Sequence, residues 1–162
     1  MKPLSYVPED SLGFMTSTAN RLMSALLRRK MREAGIGLSG DQWGILVLLW
    51  DRGDLEQEEL VRLACMDKST MSRQLSQMEE RGLICRRIAA ANARRKIVHA
   101  TDRAWSLREK SVIAAREALE QSLATVREED RIVCLNVLET VRRNLQQPAR
   151  PPVSGLDENG RT

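Results

Sequence analysis

The sequence predicts a mostly α-helical fold, six helices carrying one small β-wing, and three observations support that prediction. Charged residues make up 30% of the 162 residues and aromatics only 3%. With Leu, Ala and Arg frequent, this composition suits helices and not a sandwich or barrel. Apolar residues recur at three- and four-residue spacing along most of the chain. One stretch, Ile84 to Ala100, breaks that period and reads as a hairpin.

Residues 1–10 contain two prolines and mixed polarity, so a flexible arm is expected there. The first helix follows: Leu12, Met15, Ala19, Leu22, Met23, Leu26 and Leu27 share one face, and Gly35 and Gly37 end the pattern. Ser39 or Asp41 caps a second helix, apolar on nearly every side from Trp43 to Trp50 and therefore central. Gly53 breaks it. A short segment from Leu55 leads to a third helix, about Gln57 to Ala64, with Leu60, Leu63 and Ala64 inward.

After a tight turn through Cys65 and Met66, Asp67 caps a fourth helix, about Lys68 to Arg81. Its inward residues are Met71, Leu75 and Met78, and Gly82 stops it. Strands are expected at Ile84–Ile88 and Lys96–Ala100, joined by the Ala-rich segment Ala89 to Ala93. Thr101 or Asp102 starts a long helix bearing Trp105, Val112, Ile113, Ala115, Leu119 and Leu123. A last helix carries Cys134, Leu138, Val141 and Leu145. Residues 148–162, with three prolines and two glycines, read as a disordered tail.

Helix, short turn, helix and basic hairpin form the order of a winged helix-turn-helix, whose second helix enters the DNA major groove. With Met71, Leu75 and Met78 inward, a turn of about 100° per residue puts Ser69, Arg73, Ser76, Gln77 and Glu80 outward and Thr70 on the flank. Such hydroxyls bond phosphates or bases, Arg pairs with guanine and Gln with adenine. Lys68 and the free N–H groups at the helix start suit a phosphate.

The net charge of +4 permits a polyanionic partner, and its distribution points to one. Arg86, Arg87, Arg94, Arg95 and Lys96 lie between Gly82 and Ala100 with no acid among them. Two strands bearing these cations repel each other unless an anion is near. The alternative is a winged-helix module whose basic hairpin meets an acidic protein partner.

The run Leu60-Val-Arg-Leu-Ala-Cys-Met-Asp-Lys-Ser-Thr-Met-Ser-Arg-Gln-Leu75, followed by Met78-Glu-Glu-Arg-Gly-Leu-Ile84, resembles the MarR family of bacterial transcription regulators. Gly37-Leu38 and Gln42-Trp43 resemble that family's entry to its second helix, and the likeness spans roughly residues 10–147. The resemblance implies a DNA-binding lobe over 38–100. It also implies a homodimer joined through a dimerisation helix over 11–37 and C-terminal dimerisation helices over 101–147. The apolar faces of these helices are too many for one small lobe to cover, although closure of an intramolecular bundle is the alternative.

DNA contacts are thereby expected from Lys68, Ser69, Thr70, Ser72, Arg73 and Gln77 on the helix. The wing is expected to supply Arg86, Arg87, Asn92, Arg94, Arg95 and Lys96. In the family an Asp-x-Arg signature on the wing holds an Arg in the minor groove. Asn92-Ala93-Arg94 stands there in this chain, so Arg94 inherits the contact with only a neutral partner, and Arg95 is a substitute. The operator is expected to be palindromic, and the regulator a repressor released by a small aromatic or phenolic effector. Met15, Leu22, Trp43 and Trp105 are the candidate lining.

No catalytic constellation, glycine-rich phosphate loop or metal-ligand cluster is present in the sequence, so neither an enzyme nor a cofactor or metal is expected. Three widely spaced cysteines and one histidine make neither a disulfide framework nor a zinc site. Cys65 reads as a buried, inert thiol and His99 as an ordinary strand residue. The longest apolar stretch, Gly44 to Trp50, is too short to span a bilayer, and a cytoplasmic location is expected.

Overall fold

The structure, a computed structural model, describes residues 7–89 and 92–146, without the side chains of Ala89, Asn92, Ala93 and Arg94. The arm at 1–6, the hairpin tip at 90–91 and the tail over 148–162 thus lie outside the described residues. Pro8–Asp10 forms one 3-10 turn in place of the loose arm expected there. The first helix, α1, runs Leu12–Glu33, with the Ser11 hydroxyl accepting from the Phe14 N–H. It ends at Gly35, whose φ of +73° lets the Ile36 N–H turn back to the Met31 carbonyl at 2.7 Å.

Helix α2, Gly40–Arg52, starts from a capping box. The Ser39 hydroxyl accepts from the Gln42 N–H, and the Gln42 side chain accepts from the Ser39 N–H, so Ser39 and not Asp41 is the cap. Ile45, Leu46 and Leu49 sit at the centre of the core, as the apolar run requires. Then come β1 (Leu55–Glu56), α3 (Gln57–Ala64), α4 (Lys68–Glu80), β2 (Ile84–Ala89) and β3 (Asn92–Ala100). Met71, Leu75 and Met78 of α4 are fully buried beside Leu60 of α3, whereas Leu63 and Ala64 are only half-buried.

The three strands form one antiparallel sheet in the order β1-β3-β2, with Leu55 opposite Val98 and Arg86 also opposite Val98. Both wing strands are longer than expected. Pairing continues past Ile88 opposite Lys96 to Ala89 opposite Asn92 through an irregularity at Ile88/Ala89. Ala and Asn have weak strand preference, which hid this extension from a reading by propensity. Strand β1 was hidden for another reason: two residues are too few to show a period.

Helix α5 spans Asp102–Ser122 and α6 spans Glu128–Gln146. Helix α5 turns its small residues inward. Its buried residues are Ala104, Ser111, Ala114 and Ala118, while Trp105, Ile113 and Leu119 are exposed. Small side chains let α1 and α5 approach closely, and Lys30 of α1 reaches Glu117 of α5 at 3.2 Å. On α1 only Met31 is buried, so Leu12, Phe14, Met15, Leu22 and Met23 face outward uncovered.

Residues up to Ser122 form one compact unit and those from Leu123 a second. In the second, α6 buries none of its residues, and Val133, Leu135 and Leu145 are exposed. Among the described residues no helix is long and apolar enough to cross a membrane.

Candidate nucleic-acid interface

The start of α4 is shaped by Asp67. Its carboxylate accepts from the Ser69 hydroxyl at 2.5 Å and from the Thr70 N–H at 2.8 Å. These bonds, that from Ser69 foremost, hold Asp67 well below the usual carboxylate range. Ser69 has only one hydroxyl hydrogen and spends it on Asp67. Its oxygen is left as an acceptor, which suits a base amino group better than a phosphate.

Along α4, Ser69, Ser72, Arg73, Gln77 and Glu80 are exposed, and Thr70 and Ser76 are half-buried. The outward face expected from the spacing is therefore present except at Ser76, which the wing residue Arg86 partly covers. Lys68 stands 3.8 Å from Glu58, both side chains mostly in solvent. Gln74 is buried on the inner face and donates to Asp41 of α2 at 3.3 Å. Gln42, also buried, accepts from Arg81 at 2.9 Å and lies 3.5 Å from the Gln77 side-chain oxygen. These links tie α4 and its C-terminal cap to α2, and polar residues in an otherwise apolar pattern gave no sign of them.

The wing cations are not equivalent. Arg86 donates from Nη2 to Glu79 Oε2 at 2.6 Å, from Nε to the same oxygen at 3.0 Å and to Ser76 Oγ at 3.2 Å. The Arg86 N–H also reaches Glu79 Oε1 at 2.9 Å. This fork clamps β2 onto α4, leaves Arg86 only 18% exposed and pulls Glu79 below its ordinary pKa. The nearby anion that these cations call for is, for Arg86, a carboxylate on α4 and not DNA. Arg95 pairs with Glu56 of β1 at 2.8 Å and remains 58% exposed. Arg87 and Lys96 are exposed, and like Arg73 they make no ion pair among the described residues. The Asn92 and Arg94 side chains lie outside the described residues.

A concavity of about 390 Å³ opens between the start of α4 and the wing, bounded by Glu56, Glu58, Lys68, Arg95 and Lys96. A concavity of about 280 Å³ is lined by Met23 and Leu27 of α1, Trp43 of α2, and Leu119 and Ser122 of α5. Of the four residues expected to line an effector pocket, only Trp43 does so there. Leu22 is 68% exposed, because it lies about 100° round α1 from Met23. Met15 is also exposed, and Trp105 packs at 6.5 Å from Trp50, whose ring meets Trp43 edge-on at 5.7 Å.

Cys65 is exposed, contrary to the buried thiol expected, because it caps α3 in the left-handed conformation at φ +51°. His99 lies on β3 with Nδ1 2.7 Å from Asp54. No group of three His, Cys, Asp or Glu side chains among the described residues is arranged to hold a metal ion.

Residues 38–96, the lobe from α2 to the wing, match the sequence profile of the MarR family. A probable transcriptional regulator from Pseudomonas aeruginosa is 30% identical and superposes with a TM-score of 0.73, over 82% of this chain and 98% of its own. Two structures are similar at the level of fold. One is Sco3205, a MarR family transcriptional regulator from Streptomyces coelicolor in complex with DNA, with 20% identity, a TM-score of 0.75 and coverage of 91% and 94%. The other is BpsR of Bordetella bronchiseptica, whose DNA binding is regulated by 6-hydroxynicotinic acid; identity is 18%, the TM-score 0.76 and coverage 85% and 97%.

Proposed function

Since the chain belongs to the MarR family of transcriptional regulators, we propose that it is a homodimeric repressor that binds a palindromic operator in double-stranded DNA. One observation carries this reading: the polar strip of α4 stands uncovered beside a hairpin with exposed cations, and Glu79 and Arg86 hold the two together. In the major groove Arg73 and Gln77 read bases, Ser69 accepts, and Thr70, Ser72 and Lys68 engage the backbone. Arg87, Arg94, Arg95 and Lys96 of the wing, with Asn92, meet phosphates and the minor groove. Arg86 serves by fixing the wing.

Residues 38–100 form the DNA-binding lobe in this reading, and 11–37 with 101–147 form the dimer region. The uncovered apolar residues of α1, α5 and α6 supply the surface a two-fold interface needs. The concavity beside Trp43 takes a small aromatic or phenolic effector that releases DNA, an assignment supported by its apolar lining and by the effector regulation of BpsR. The protein works in the cytoplasm and performs no catalysis.

The test is binding of the purified protein to a duplex that it enriches from a random-sequence pool, compared with a scrambled duplex. The enriched duplex is expected to bind about 10³-fold tighter or more, and binding to weaken steeply as salt rises. Equal affinity for all duplexes overturns the reading.

A further inference from the structure

Glu56 occupies the N-cap position of α3, yet its carboxylate accepts no hydrogen bond from that helix. A carboxylate there ordinarily satisfies a free N–H of the first turn. It turns instead to the wing, meeting Arg95 Nη1 at 2.8 Å. Strand register explains the reach. Glu56 is opposite Ile97, so its side chain shares a face with Ile97 and with Arg95 two residues earlier on β3.

The burial is graded in a telling way. Glu56 is 33% exposed and sits on the two-residue strand β1, whereas Arg95 is 58% exposed. The pair lines the concavity that also holds Lys68 at the start of α4. An exposed ion pair contributes little to folding stability. Its larger effect is on the arginine, which it holds in one geometry and so spares part of the ordering that binding would otherwise require.

We infer that Glu56 is a positioning residue for DNA recognition, holding Arg95 as the preorganised arginine of the wing. The inference rests on the DNA-binding reading above. Glu56 acts across the sheet, from a separate element, on an arginine next to Arg94. Its negative charge also works against DNA in general, so its presence trades non-specific affinity for discrimination.

The experiment uses the full chain, the duplex enriched from a random-sequence pool by the wild type, and a scrambled duplex of the same composition. Glu56→Gln is expected to bind the enriched duplex about 5- to 10-fold more weakly while binding the scrambled duplex equally or more tightly. Glu56→Asp, which keeps the charge and loses the reach, is expected to lose discrimination likewise. In an Arg95→Ala background, Glu56→Gln is expected to add nothing further. A uniform gain on both duplexes, or wild-type behaviour of Glu56→Asp, overturns the proposal in favour of a simple charge effect. Should either Glu56 variant fail to show a native circular dichroism spectrum, Arg95→Lys decides: an unchanged ratio between duplexes overturns the proposal. Failure of the wild type to enrich any duplex defeats the DNA-binding reading itself.

Discussion

Helix α4 and the wing both face the proposed DNA, but different forces hold them. Three fully buried side chains, Met71, Leu75 and Met78, fix α4 and leave its polar strip outward whatever the charges do. The wing has few such anchors, chiefly Ile84 and Val98 at its base. Beyond them its geometry depends on ion pairs to neighbouring elements: Arg86 to Glu79 of α4 and Arg95 to Glu56 of β1. The contrast teaches that like charges adjacent in sequence need not share a task. Arg86 and Arg87 are neighbours, yet one is clamped and the other stands in solvent.

If this contrast is right, deleting an anchor of the helix costs most. Leu75→Ala is expected to lower folding stability by about 2–5 kcal/mol in urea denaturation, with little dependence on salt. A loss under about 1 kcal/mol would remove burial as the force that orients α4.

The clamp comes next. Arg86→Ala is expected to cost about 1–2 kcal/mol, less than the roughly 3–5 of a fully buried pair because Glu79 is 37% exposed and partly screened. Its pH dependence has a definite sign. Folding lowers the Glu79 pKa, so the clamp's stabilisation is present above the ordinary carboxylate range and fades as pH falls through the lowered value. The penalty of Arg86→Ala, measured by denaturation across acid pH, should therefore shrink in acid while that of Leu75→Ala stays constant. Equal pH profiles would break the distinction between the two regions.

Arg87→Ala should be the mildest. With no ion pair among the described residues, its loss is expected to leave stability within about 0.5 kcal/mol. It should also weaken DNA binding alike on enriched and scrambled duplexes and reduce the salt slope by about one. A change confined to the enriched duplex would instead make Arg87 a reader of sequence or groove shape.

The same physics explains what the sequence made legible. The outward strip of α4 followed from the 3.6-residue period, because burial of Met71, Leu75 and Met78 leaves one solution for the other residues. The cap at Asp67 was readable as local chemistry, and that of α2 was narrowed to Ser39 or Asp41, of which the structure uses Ser39. Glu56 and Glu79 were not, since their importance arises from strand register and from packing of β2 on α4. On α5, Ala104, Ser111, Ala114 and Ala118 are the buried residues, a choice that the spacing of its bulky apolar residues did not specify. The exposed Trp105, Ile113 and Leu119 are available to the proposed two-fold interface.

The most direct test of the account is a base-resolved binding profile, obtained by selection from a random-sequence pool with the wild type and with Arg73→Ala in parallel. The account predicts a two-fold symmetric wild-type site with half-sites about one helical turn, roughly 34 Å, apart. Arg73→Ala should lose preference at one base position in each half-site, at a cost on the order of 1–3 kcal/mol, while the remaining positions keep theirs. An asymmetric wild-type profile, or a loss in Arg73→Ala spread evenly over all positions, would contradict it.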